Sequence, residues 1–163
     1  MSAVHLDIAI ADEEWRTVLG EAPEDLCRQV AEAVLRQLNI RGPVEISIVL
    51  DEDAHVAELN ARYRGRQGPT NVLSFPGEDA AAARPGQAAM IGDIVIARQT
   101  LLREAAAQEK TPRQHFMHLL VHGILHLLGY DHQNEAEAGE MEGLEIRILA
   151  ELDIPDPYQR ERR

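Results

Sequence analysis

Five of the chain's 7 histidines fall within residues 115–132, set among leucines, a valine, an isoleucine, a phenylalanine and a methionine. Placed on a helix at roughly 100° per residue, His115, His118, His122 and His126 share a sector of about 80°, and apolar side chains take most of the remaining circumference. Such a helix is stable only when other elements pack around nearly all of it, so the segment must be the centre of a fold rather than a surface element. The histidines also interrupt the longest apolar run, near 116–128, which falls short of the roughly 20 residues of a membrane span.

Two histidines four residues apart stack their imidazoles one turn above the other, a spacing at which two ring nitrogens meet one ion at about 2.0–2.1 Å. His118 with His122 satisfies it, and so does His122 with His126. Eight residues of helix put His118 and His126 roughly 12 Å apart, so the three do not share one ion. Gly129 makes the choice, because a glycine after the last helical turn lets the chain reverse and carry His132 back over the His122–His126 pair. The expected ligand set is His122, His126 and His132, holding one Zn²⁺. Three imidazoles leave the fourth tetrahedral position to water, which is the arrangement of a catalytic zinc site. Asp131 stands where it can accept an N–H from a ligand imidazole. His115 and His118 read as packed or supporting residues, and His5 and His55, which lack ligand spacing, as structural. Cys27 is the single cysteine, which excludes an internal disulfide and a Cys-rich zinc site, and it reads as a small packed residue.

Around this segment the periodicities alternate between strand and helix. Apolar alternation or β-branched runs predict strands at 4–10, 44–50, 71–75 and 91–97. Helical spacing predicts helices from Pro23 to Leu38, from an N-cap at Asp51 through Val56, Leu59 and Tyr63, around Leu101, Leu102 and Ala105, from Pro112 to Leu128, and over 134–151 with Met141, Leu144, Ile148 and Leu149 buried. Residues 77–90, with Pro85 and two glycines, read as a mobile surface loop. Four strands and about five helices in 163 residues predict a single α+β domain over 1–154, with one small sheet covered by helices and a frayed polar tail over 155–163. The start has no secretory signal pattern, so a cytoplasmic location and no membrane partner are the expectation. Lys+Arg of 16 against Asp+Glu of 28 gives a net charge of −12, which disfavours nonspecific adhesion to nucleic acid unless positive charge is local.

The spacing His122-x-x-x-His126-x-x-Gly129-x-x-His132 is similar to that of the metzincin metalloproteases, whose pattern requires Glu directly after the first histidine as general base. Here that position is Gly123, and the protease reading falls with it. The whole string from His122 to Tyr130, Asp131 and His132 instead resembles the signature of the YbeY family of rRNA maturation endonucleases. A second block, Leu59 to Gly65 followed by Pro69 to Pro76, looks like that family's other recognisable segment, and Gly92-Asp93-Ile94 is a weaker third. The blocks fall in the family's order and cover nearly the whole chain apart from 77–90 and the tail.

The resemblance implies a mixed four-stranded sheet, a zinc ion, cleavage of single-stranded RNA, and work on the 3′ end of 16S rRNA and on defective 70S ribosomes. RNA, the ribosome or ribosomal proteins are therefore the expected partners. It also assigns the zinc ligands to His122, His126 and His132 and a catalytic arginine to Arg64. The ion would polarise a phosphate oxygen or activate a water, and Arg64 would stabilise the charge added to phosphorus. Arg62 and Arg66 complete a local cationic patch. The proton acceptor stays open among a 2′-OH, water activated by the ion alone, and a distant carboxylate such as Asp93, which otherwise reads as a structural residue at a strand edge. Two other classes stay open: an assembly factor with a structural or weakly catalytic zinc, and a metal-dependent hydrolase of another substrate such as a peptide.

Overall fold

The computed structural model describes residues 4–41, 43–65, 70–77, 89–131 and 133–159. Strands β1 (Val4–Ile10) and β2 (Val44–Asp51) pair in parallel, β4 (Ala89–Ala97) runs parallel to β2, and β3 (Val72–Pro76) is antiparallel to β4. The order is β1-β2-β4-β3, a mixed four-stranded sheet with β3 at one edge. Ala89 and Met90 extend β4 beyond its expected start, and residues 78–88 of the expected loop lie outside the described residues.

The described residues form six helices: α1 (Glu14–Leu19), α2 (Pro23–Gln37), α3 (Asp53–Arg64), α4 (Arg98–Ala107), α5 (Pro112–Leu127) and α6 (Glu135–Glu151). The main core lies between one sheet face and α2, α5 and α6; it includes Leu26, Val30, Ile48, Ile94, Phe116, Leu120, Ile124 and Ile148, all fully buried. A smaller cluster of Val56, Leu73, Val95 and Ala97 fills the opposite face under α3. Helix α5 is the centre that its composition demands: Phe116, Met117, Leu119, Leu120, Val121, Ile124, Leu125 and Leu127 are all buried, and it packs on α1, α2, α4, α6, β3 and β4.

One short helix lies outside those expected, and two local expectations change. The segment around Trp15 is a short helix, α1, held by tertiary anchoring: Trp15 is buried, packs against Phe116 with ring centroids 5.6 Å apart and planes inclined at 58°, and donates its indole N–H to the Asp51 carbonyl. Asp51 does not cap α3. Strand pairing continues through it to Ala97, its carboxylate is taken up by the Glu52 N–H and the His55 ring, and Glu52 occupies the cap position. The tail is not frayed over 155–159: Pro157 is buried, its carbonyl accepts from Lys110 Nζ at 3.0 Å, and Tyr158 docks on α5 and α6. Residues 160–163 lie outside the described residues.

Candidate metal centre and RNA cleft

Both ends of α5 are closed by the chain's own chemistry. Thr111 and Gln114 form a capping box at its start, ahead of Pro112 in the first turn. At its end the Tyr130 N–H reaches the Leu125 carbonyl and the Gly129 N–H the His126 carbonyl, both at 3.0 Å. This paired closure needs a left-handed residue, supplied by Gly129 at φ 101°. The chain then turns so that Tyr130, Asp131 and Gln133 line a cleft of about 770 Å³ together with Val72, Ser74 and Pro76 of β3 and with His122 and His126.

The His122 and His126 rings lie 4.6 Å apart between centroids, inclined at 78°. His132 lies outside the described residues, and among the described residues no group of three His, Cys, Asp or Glu side chains is arranged to hold a metal ion. The chemistry of the pair nevertheless fits an ion. His122 Nδ1 is 2.7 Å from Oε2 of Glu145, a carboxylate with no solvent exposure. Burial alone would push that carboxyl up, but hydrogen bonds from His118, His122 and Tyr158 outweigh it and bring it down to about 2. An ionised carboxylate only accepts, so His122 Nδ1 carries the proton and Nε2 carries the lone pair a metal takes.

His118, one turn earlier, is committed elsewhere. Its Nε2 lies 3.2 Å from both Glu145 Oε1 and the Tyr158 hydroxyl, and burial, opposed by Glu145, holds its imidazole below the usual value and neutral at pH 7. His115 is buried, with Nε2 2.8 Å from Glu104; the same carboxylate accepts from Asn71 Nδ2 at 3.1 Å, which ties the entry to β3 back onto α5. Cys27 is fully buried, and burial, with Glu24 adding to it, pushes its thiol up to about 12, so it is inert packing.

Gly123 shows why no carboxylate follows the first histidine. A Cβ there would lie 3.3 Å from Ile94 Cδ1 and from Ser74 Oγ, and the Ser74 hydroxyl already donates to the Gly123 carbonyl at 3.3 Å. The helix rests directly on β3 and β4 at this point. Asp93 is no substitute base: β4 is a central strand, not an edge, and side chains alternate, so Asp93 shares the face of Val95 and Ala97 while Ile94 faces α5. Arg64 is the last residue of α3; its side chain and residues 66–69 lie outside the described part, and Thr70 and Asn71, just beyond, reach the cleft. Arg62 is exposed, 3.7 Å from Glu58.

The sequence reading passed over Glu145 and Tyr158. The signal for Glu145 was present, because a charged residue occupies the middle of the Met141, Leu144, Ile148 and Leu149 stripe. Nothing in the tail's composition marks Tyr158.

Comparison with known proteins places this architecture. The profile of the family described as Endoribonuclease YbeY matches residues 9–153. An Endoribonuclease YbeY of Rhizobium johnstonii is 56% identical over 171 residues, covering 98% of this chain and 95% of that protein. One from Paramagnetospirillum magneticum is 44% identical over 158 residues, covering 95% and 96%. The solution structure of TM1509 from Thermotoga maritima shares the fold with a TM-score of 0.58 at 23% identity, over 91% of this chain and 92% of that one. Similarity of this extent, running through both the histidine helix and the β3 block, makes the chain a member of the Endoribonuclease YbeY family.

Proposed function

We propose that this protein is a metal-dependent endoribonuclease that cuts single-stranded RNA, that its substrate is the 3′ end of 16S rRNA and the RNA of defective ribosomes, and that it acts in the cytoplasm at the ribosome. The carrying observation is the His122–His126 pair, one turn apart beside an open cleft, with Glu145 directing the His122 lone pair. His122, His126 and His132 would hold the ion, and three imidazoles favour Zn²⁺. When bound, the ion supplies Lewis acidity toward a phosphodiester oxygen or an attacking water. The chain's own residues do the rest. Arg64 offers a guanidinium fork to the charge added on phosphorus, and Arg62 and Arg66 hold the backbone on either side. The β3 wall and the turn after Gly129 bound the cleft that receives the strand.

Family membership and the packed Gly123 both favour phosphodiester over peptide cleavage. Among the described residues no helix is long and apolar enough to cross a membrane. The catalytic unit is read as residues 1–154, and the docking of Tyr158 adds the following turn to it. The test compares zinc content and cleavage of a defined single-stranded RNA by wild type, by His126→Ala and after chelation, all purified identically. Cleavage by the wild type alone is expected. Equal cleavage in all three would indicate a contaminant and favour an assembly factor, and cleavage of a peptide panel would favour a protease.

A further inference from the structure

Glu145 occupies a position that packing alone would fill with an apolar residue. It is wholly buried between α5 and α6, and among the described residues neither lysine nor arginine pairs with it. A buried carboxylate is costly to desolvate, and well-packed apolar groups commonly replace buried charges without loss of stability. Its oxygens are divided between two imidazoles and a phenol. Oε2 accepts from His122 Nδ1 at 2.7 Å; Oε1 accepts from His118 Nε2 at 3.2 Å and from the Tyr158 hydroxyl.

The tyrosine comes from the chain's C-terminal turn. That turn is held by the Tyr158 N–H donating to Asp156 Oδ1 at 2.8 Å and by Lys110 Nζ on the Pro157 carbonyl, and the phenol ring meets His118 at 90° and 5.4 Å. The contact therefore spans three elements, α5, α6 and residues 155–159, and converges on His122, which faces both this carboxylate and the cleft.

We propose that Glu145, backed by Tyr158 and His118, is a positioning residue that holds His122 in its Nδ1–H tautomer and so sets the affinity of the metal centre, making the C-terminal turn part of that centre. The proposal rests on the metal reading above. Replacing a carboxylate that merely stapled α5 to α6 would leave the zinc affinity of a folded variant unchanged; replacing a positioning carboxylate would not. Loss of such an outer partner typically weakens metal binding by about 10–100-fold.

The experiment uses the full chain. Long-range ¹H–¹⁵N spectra of the metal-free protein read the His122 tautomer, competition with a chromophoric chelator reads Zn²⁺ affinity, and thermal melts confirm folding, for wild type, Glu145→Leu, Glu145→Gln and Tyr158→Phe. The Nδ1–H form should dominate in wild type. Glu145→Leu should lose that preference and about 10–100-fold in affinity, whereas Glu145→Gln, whose carbonyl can still accept from Nδ1, should keep the tautomer and lose about tenfold or less. Tyr158→Phe should fold and lose a few-fold, about what one neutral hydrogen bond contributes. A folded Glu145→Leu with unchanged tautomer or affinity within twofold of wild type overturns the proposal. If Glu145→Leu does not fold, unchanged tautomer and affinity in Tyr158→Phe overturn it instead. Wild type that binds no zinc while keeping the Nδ1–H tautomer sinks the metal reading, and with it the role in affinity, but not the Glu145–His122 contact.

Discussion

Gly92 sits where β4 passes between β3 and the last turn of α5, and replacing it with alanine tests whether that close approach carries the site. Its φ is +147°, and a Cβ built there would lie 2.4 Å from the Phe75 carbonyl oxygen and 2.6 Å from Leu127 Cδ2. The leucine can move; the backbone oxygen moves only with β3. Backbone strain of about 1–3 kcal/mol at such a φ adds to an overpacking cost of about 1–3 kcal/mol. The smaller entropy of the unfolded alanine chain returns about 0.4–1 kcal/mol. The net expectation is a loss of about 3–4 kcal/mol, near 10 °C in Tm for a chain of this size. Gly139→Ala is the matched control: it lies exposed in α6 with nothing within 4 Å of its Cβ, and should stabilise by up to about 1 kcal/mol. Urea and thermal unfolding of both variants give the comparison. Because Leu127 adjoins His126, Gly92→Ala should also weaken zinc binding at temperatures where it remains folded. A Gly92→Ala loss below about 1 kcal/mol, or a larger loss for Gly139→Ala, would refute the reasoning.

Arg64→Ala should leave zinc content unchanged and lower cleavage of single-stranded RNA by about 10²-fold or more; unchanged turnover removes Arg64 from the mechanism. With a net charge of −12 and binding confined to Arg62, Arg64 and Arg66, the affinity for a short single strand should fall with salt at a log–log slope of about −2, and a slope steeper than about −5 would place RNA on a wider basic surface. Asp53 joins the start of α3 to α4 by accepting from the Thr100 N–H and hydroxyl and from Arg103. Burial pushes its carboxyl up, these bonds outweigh that, and its folded value lies below the unfolded one. Its stabilisation is therefore present above the unfolded value and is lost as pH falls through the folded one. Asp53→Asn should cost about 1–2 kcal/mol at pH 7, and the cost should shrink as pH falls below the unfolded carboxyl value; a cost that stays constant into acid would contradict the assignment.

What could be read without coordinates follows from how local each signal is. Strands β1, β2 and β4 declare themselves by apolar patterning, and α5 by its histidine stripe, Pro112 and Gly129, because one element holds all of that information. The short helix α1 was not legible, since its six residues owe their stability to Trp15 packing on Phe116 and bonding to Asp51. Asp51 misled for a related reason: its side chain fits an N-cap, but continued pairing with Ala97 keeps it in the strand. The His122–His126 pair came from spacing, whereas Glu145 needed the meeting of α6 with histidines 23 and 27 residues earlier and a tyrosine 13 residues later.

The central claim is that one ion on His122, His126 and His132 enables RNA cleavage, and a zinc titration of the chelated, metal-free protein tests it most directly. Cleavage of a defined single-stranded RNA, followed as Zn²⁺ is added, should rise from background and break at one equivalent per chain, with His126→Ala flat throughout. Full activity before any zinc is added, or an identical rise in His126→Ala, would contradict the account.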